Sequence, residues 1–274
     1  MTTNSGAIET SHGTIAYTQT SIEGPAMLLI HGNSSCKEVF GKQYAAPELA
    51  EFRLVAFDLP GHGASDDAAD PARSYTLGGY AEMAGEVASA LKLDKPIIFG
   101  WSLGGHIALE MIGSGFDAAG VMISGTPPIK PTIESLMTGF NIDPSAENLT
   151  GKRDFTEADA IFYSTHTSAV DGVVAPELLA MCKRTDGRAR EIMFGSVMQG
   201  HALDEQEIVA TTTTPFAVVN GVDDVFIQAS YFDTLVYSSL WDRGVVRLDG
   251  AGHAPFLQQP AAFNALLAEF ARTA

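Results

Sequence analysis

The chain has 274 residues, enough to bury a full core within one large α/β domain that carries an insertion. Hydrophobic residues make up 46% and charged residues 18%, an ordinary balance for a soluble globular enzyme. The net charge of −17 argues against nucleic acid and anionic membrane surfaces as partners, since both reward basic patches, and disfavours a strongly anionic substrate.

In chain order, Ala7 to Thr20 reads as two short strands around a His12-Gly13 turn, an antiparallel edge hairpin with His12 at the surface. Met27 to Ile30 is the first buried strand and runs into His31-Gly32-Asn33-Ser34-Ser35. That loop is expected to offer the Asn33 backbone N–H to the site, with Ser34 or Ser35 free to cap a following helix. Phe40 to Glu51 reads as a helix and Leu54 to Phe57 as the next strand. The turn-rich Asp58-Leu59-Pro60-Gly61-His62-Gly63 follows, where Asp58 and His62 are assigned structural roles, since an Asp closing a strand commonly bonds loop N–H groups. Tyr75 to Leu91 has apolar residues at helical spacing, with Ser74 or Thr76 as its cap.

Ile97-Ile98-Phe99 is a buried strand that ends in Gly100-Trp101-Ser102-Leu103-Gly104, a G-x-S-x-G sequence followed by an apolar helix. Strand, tight turn and helix in that order make a nucleophile elbow, with Ser102 in a strained conformation that the flanking glycines permit. The helix points its amino end at the same spot, and the Leu103 N–H can donate to a developing oxyanion. His106, on the first helical turn, is expected to pack. Gly120 to Ser124 is another buried strand.

Gly125-Thr126-Pro127-Pro128 breaks the alternation, and no strand–helix pair is read from there to about Thr214. Helical patches at Glu157 to Ser164, Pro176 to Lys183 and Arg188 to Met198 read as a cap over the carboxyl ends of the strands. The domain division expected is a core of residues 1–126 and 215–274 with a helical cap at 127–214. Its Met and aromatic residues are mostly core, a few of them facing an apolar pocket. The basic run Lys183 to Arg190 is expected to be a solvated, salt-bridged helix end. Pro215 to Asn220 then forms a strand ending at Gly221-Val222-Asp223-Asp224, followed by a helical stretch. Gly244 to Leu248 is the last strand, Gly250-Ala251-Gly252-His253 the loop after it, and Pro260 to Arg272 a closing helix.

A serine hydroxyl needs a base to take its proton, and the base must itself be oriented. Ser102, the Asp223-Asp224 pair and His253 all sit at carboxyl ends of predicted strands. The reading assigns Ser102 as nucleophile, His253 as base and Asp224 as the orienting acid, with Asp223 as the rival. Only Cys36 and Cys182 are present, far apart and without metal-ligand spacing, which reads as buried or free thiols in a reducing compartment. The first thirty residues lack a basic start and a long apolar stretch, so a cytoplasmic location is expected. No metal and no other cofactor are expected.

Gly100 to Gly105, His31-Gly32-Asn33, Asp58 to Gly63 and Gly252-His253 together resemble the α/β-hydrolase superfamily over the whole chain. The fold implied is a mostly parallel twisted sheet with flanking helices and a helical cap insertion. More narrowly, the sequence is similar to the metal-independent N-acyl-homoserine lactone lactonases of this fold. The segments carrying that likeness are His31 to Ser35, Phe99 to Ile107, Gly125 to Pro128, Arg184 to Arg190 with Ile192 to Phe194, Val218 to Gly221 and Ala251 to Phe256. The resemblance implies serine attack on a lactone carbonyl, an acyl-enzyme, and release of an N-acyl-homoserine. It also implies that Tyr163 can hydrogen-bond the lactone ring, a core tyrosine being the other reading, and Trp101 and Gly32 are expected beside the substrate. The acid in that group can be Glu, whereas Asp224 is one methylene shorter and must approach His253 more closely. A small ester or lactone is the partner expected, for a monomer or a homodimer. Open alternatives are a general carboxylesterase, a cofactor-free haloperoxidase or C–C hydrolase, and a ligand receptor of the same fold.

Overall fold

The computed structural model describes residues 1–143, Ser145 and 147–274, so Pro144 and Ala146, within the span read as a cap, lie outside the described residues. The first two strands, β1 (Thr3–Thr10) and β2 (Gly13–Thr20), form the expected hairpin. They are followed by β3 (Ala26–Ile30), β4 (Arg53–Phe57), β5 (Ile97–Trp101), β6 (Gly120–Ser124), β7 (Phe216–Gly221) and β8 (Leu240–Leu248). Among the described residues these make one eight-stranded sheet of order β1-β2-β4-β3-β5-β6-β7-β8. The pairings of β1 with β2 and of β2 with β4 are antiparallel, and all others are parallel.

The parallel strands are short apolar runs because both faces of the sheet are covered. Alternation divides them between two cores. Leu28, Ile30, Val55, Phe57, Ile98 and Val121 face a cluster built with the helices Leu77–Ala90 and Leu103–Gly113. Met27, Leu29, Leu54, Phe99, Met122 and Val219 face Phe40, Phe256 and the closing helix Pro260–Thr273. Thr76 caps the first of these helices by accepting from Gly79 N. The sheet order reverses at β3, whose neighbours β4 and β5 both follow it in sequence. Loops leaving β3 and β5 therefore diverge at their carboxyl ends and leave a crevice, where open α/β sheets bind ligands.

Between Pro127 and Thr214 the described residues contribute no strand to this sheet. Among the described residues five α-helices lie there: Ile133–Gly139, Glu157–Ser168, Pro176–Arg184, Gly187–Met198 and Glu205–Thr211. No helix among the described residues is long and apolar enough to cross a membrane. Cys36 and Cys182 are both buried and unbridged.

Five expectations are corrected. The helix expected over Phe40 to Glu51 is broken into the single turns Lys37–Phe40, Gly41–Tyr44 and Pro47–Leu49, because Pro47 has no N–H to continue a helix. Neither Ser34 nor Ser35 caps it; the Lys37 N–H donates instead to Asp58. The helical stretch expected after Asp224 is one 3-10 segment, Ala229–Thr234. His12 is buried, with Nδ1 against Ser74 Oγ at 3.0 Å and Nε2 3.2 Å from Glu82. Glu82 in turn carries the Arg73 guanidinium. Finally, the basic run is salt-bridged and partly exposed as expected at Lys183, Arg184 and Arg188, which pair with Glu157, Asp67 and Asp186, but not at its end. Arg190 is buried and donates to the carbonyls of Lys152 and Arg153, both at 2.7 Å, with its carbon 3.9 Å over the Phe155 ring. Arg184 reaches across to Gly61 O and Ser65 O and so pins the helical region to the β4 loop.

Asp58 takes the structural role read from its place after a strand. Its carboxylate accepts from Lys37 N and Lys37 Nζ, each at 2.7 Å, and from Ala64 N at 2.8 Å. Both members of the ion pair are buried. Removing one side of a buried pair leaves the other charge uncompensated, so Asp58→Asn should lower unfolding free energy by about 3 kcal/mol, read as a drop in the urea midpoint.

Candidate active site

The elbow is the tightest point of the chain. Ser102 has φ 54° and ψ −120°, a left-handed strained conformation, between the last residue of β5 and the first turn of the helix Leu103–Gly113. It is held there by Ser102 N donating to Ser124 O at 2.8 Å and by Thr126 Oγ1 donating to Ser102 O at 2.8 Å. A Cβ on Gly104 would collide with the Ile30 carbonyl, and one on Gly100 would collide with the Gly104 carbonyl. The glycines of the motif therefore serve close approach of helix and strands, which is what lifts the serine above the sheet edge.

The β3 loop supplies the facing wall. Ser34 has φ 55°, and its hydroxyl donates to Asn33 Oδ1 at 3.2 Å while lying 3.2 Å from Arg190 Nη1. Asn33 Nδ2 donates to Thr150 O at 3.0 Å. With its side chain anchored this way, the Asn33 backbone N–H has no acceptor among the described residues, nor has that of Leu103. Beneath the loop, the buried His31 ring receives Leu59 N at Nε2 and bonds the Gly32 carbonyl through Nδ1. Burial lowers its pKa, so it stays neutral and rigid.

His253 leaves the β8 side of the sheet, its Nδ1 2.8 Å from Asp224 Oδ2. The side chains are 4% and 2% exposed, which leaves this pair little competition from water. Asp224 Oδ1 accepts from Phe226 N at 2.9 Å, fixing the carboxylate. Its neighbour Asp223 is exposed, so of the two candidates it is Asp224 that meets the imidazole. Trp101 Nε1 donates to the His253 carbonyl at 2.8 Å, and the Phe226 ring packs edge-on at 4.9 Å. Gly125, at φ 64°, lies so close that a Cβ there would be 2.8 Å from His253 Cε1.

Ser102, Leu103, Asn33 and His253 line one cavity of about 650 Å³. No hydrogen bond closes between Ser102 Oγ and the imidazole among the described residues. Catalytic contacts often tighten only around substrate. The rest of the wall is mostly apolar, including Leu77, Ile129, Leu136, Phe140, Met193 and Val197. Its ionisable members are acids, histidines and Tyr163, with no Lys or Arg among the described lining residues. A second depression of about 500 Å³, around Thr20 to Gly24 and Arg53, contains none of these groups.

Tyr163 lines the cavity, its hydroxyl against Asn33 and Thr150. Trp101 and Gly32 do not line it. Trp101 is buried behind the imidazole, and a Cβ on Gly32 would stand 3.1 Å from Trp101 Cε3 and 3.2 Å from Ser102 Cβ. Both sit one layer back, where they set the spacing of the groups in front. Sequence reasoning missed Arg190, hidden in a basic run, and the cavity position of His106, whose partner Glu205 lies 99 residues away. Nothing local marks either.

A model of the alpha/beta hydrolase family matches residues 27–266. The chain is 42% identical to N-acyl homoserine lactonase AidH complexed with N-butanoyl homoserine, with a TM-score of 0.93 over 98% of this chain and 96% of that one. A mutant of the same enzyme complexed with N-hexanoyl homoserine lactone gives 40% identity and a TM-score of 0.92 over 98% and 97%. A pimeloyl-[acyl-carrier protein] methyl ester esterase of Nitrosospira multiformis is 27% identical over 263 residues, covering 93% of this chain and 98% of that protein.

Because its native φ is positive and its pro-Cβ space is filled by the imidazole, Gly125→Ala must push His253 aside or strain the turn. Ester hydrolysis should fall at least tenfold while the far-ultraviolet circular dichroism is unchanged, and a fully active variant would contradict the packing described.

Proposed function

The chain belongs to the alpha/beta hydrolase family and is an ester hydrolase, and on that premise we propose that it opens the lactone ring of N-acyl-homoserine lactones. The observation that carries this reading is the buried Asp224–His253 pair on the wall of the apolar cavity that Ser102 also lines. Ser102 is the nucleophile, His253 takes its proton, and Asp224 holds the tautomer with the proton on Nδ1 and stabilises the imidazolium. The Ser102 oxygen attacks the lactone carbonyl. The negative charge that develops is met by the Asn33 and Leu103 N–H groups, which have no other acceptor among the described residues. Collapse breaks the ring C–O bond, and the imidazolium returns its proton to the leaving alkoxide. Because that alkoxide remains tethered, the acyl-enzyme contains the whole substrate. Water then adds through His253 and releases the N-acyl-homoserine.

Residues 1–126 and 215–274 are the catalytic core in this scheme, and 127–214 a cap that forms the substrate's surroundings. Tyr163 is the cap residue assigned to the lactone ring. The choice of a neutral substrate is favoured by the charge of the cavity. No Lys or Arg is among its described lining residues, while Glu205 is, a poor setting for an acyl chain that ends in carboxylate. A second reading, a methyl ester esterase on small neutral acyl groups, is favoured by the 27% identical relative.

Ser102→Ala should abolish lactone opening, and Asp224→Asn should lower kcat by about 10⁴, because the amide fixes the wrong tautomer. A panel of acyl-homoserine lactones read by mass spectrometry should give products heavier by one water. Wild-type activity should survive EDTA; loss restored by zinc would overturn the scheme, and turnover of methyl esters with inert lactones would select the second reading.

A further inference from the structure

The cavity wall carries a second imidazole–carboxylate pair. His106 Nδ1 lies 2.8 Å and 3.0 Å from the two oxygens of Glu205, and Glu205 Oε2 also accepts from Ile129 N at 2.9 Å. The two side chains are 12% and 2% exposed. We propose that this pair is a subsite selecting acyl chains that bear a hydroxyl on the third carbon, an inference that rests on the lactone reading above.

Chemistry fixes what the pair presents. An ionised carboxylate only accepts, so the hydrogen bond to Glu205 puts the imidazole proton on Nδ1. In the tautomer with its single proton there, Nε2 is a lone-pair acceptor. It has no partner among the described residues, and the ring forms part of the cavity lining beside Ile129, Leu136, Phe140 and Leu203. An acceptor in an apolar wall is matched by a donor on the ligand and left unsatisfied by a methylene. A ketone offers only lone pairs and is repelled. A hydroxyl donates.

Position agrees with that choice. His106 stands one helical turn after Ser102, its backbone N 3.4 Å from the Ser102 carbonyl. That is an axial rise of about 6 Å over four residues. In the substrate a trans amide separates the lactone α-carbon from the second acyl carbon by about 3.8 Å, with one further bond leading at either end to the reacting carbonyl and to the third carbon. The third carbon therefore lies roughly 6 Å from the reacting carbon by these bond lengths and its hydroxyl one bond beyond, a reach of the same order as the helical turn that separates His106 from Ser102. The substrate amide N–H is the other donor within reach, and it is common to all acyl-homoserine lactones.

The test measures kcat/KM for 3-hydroxyacyl, 3-oxoacyl and unsubstituted acyl-homoserine lactones of equal length. In the wild type the 3-hydroxy substrate should lead. His106→Phe, which keeps a ring but no acceptor, should reduce the ratio of 3-hydroxy to unsubstituted by about fivefold, the scale of one neutral hydrogen bond. Glu205→Gln can keep its oxygen on Ile129 N and turn its NH₂ to Nδ1, reversing the tautomer so that Nε2–H becomes a donor. Preference should then move toward the 3-oxo substrate, a change that mere loosening of the fold would not give. Equal losses on all three substrates would assign His106 to the amide and overturn the subsite, as would an unchanged ratio in both variants. If the wild type opens no lactone at all, the activity reading fails and the subsite with it; if it opens them without these shifts, only the subsite fails.

Discussion

Everything at the site depends on one close approach, the contact of the elbow glycines with the carbonyls of the strands. Gly104 lies against Ile30 O and Gly100 against Gly104 O with no room for a Cβ, and Ser102 pays for this proximity with a positive φ. A strained non-glycine residue costs of order 1–3 kcal/mol and persists only where its surroundings over-determine it. Here the surroundings are the bonds to Ser124 and Thr126 and two apolar cores, one on each face of the sheet. Relaxing the turn would lower the serine into the sheet and turn the free Leu103 N–H away from the Asn33 loop. Fold stability is thus what maintains the geometry of the site.

The regular parts of this arrangement were legible because their signals are local. Apolar runs bounded by glycine gave β3, β5, β6 and β7 to within a residue or two, and Thr76 announced the helix after it. That Ser102, Asp224 and His253 would come to one edge of the sheet could be read because each follows a strand, and strand ends of a parallel sheet gather at one edge. What escaped was set by partners distant in sequence. His12 looks like a turn residue until Ser74 and Glu82 are packed over it. Arg190 looks solvated until the carbonyls of Lys152 and Arg153 and the face of Phe155 enclose it. Trp101, adjacent to the nucleophile in sequence, points behind the imidazole because successive side chains of β5 alternate across the sheet.

The helical region is tied to the core at the places that matter for chemistry. Arg190 contacts the same Ser34 hydroxyl that bonds Asn33, and Thr150 receives the Asn33 side chain. The loop that presents the Asn33 N–H is therefore held from both sides, by the sheet below and by the helical region above. Under the proposed mechanism substrate choice and transition-state geometry would be coupled through these bonds, so changes among the pocket-lining helices would reach the rate as well as the affinity. A lining with no Lys or Arg among its described residues gives an anionic ligand no cation to meet, a bias that the overall charge of −17 reinforces.

The central claim is covalent attack by the elbow serine on an intact lactone, and rapid quenching into acid followed by mass spectrometry of the whole protein tests it most directly. Mixed with excess acyl-homoserine lactone, the enzyme should gain the full mass of the substrate, since the ring opens without losing a fragment, and peptide mapping should locate the adduct on Ser102. An adduct on another residue, or one lighter by homoserine lactone, would contradict it.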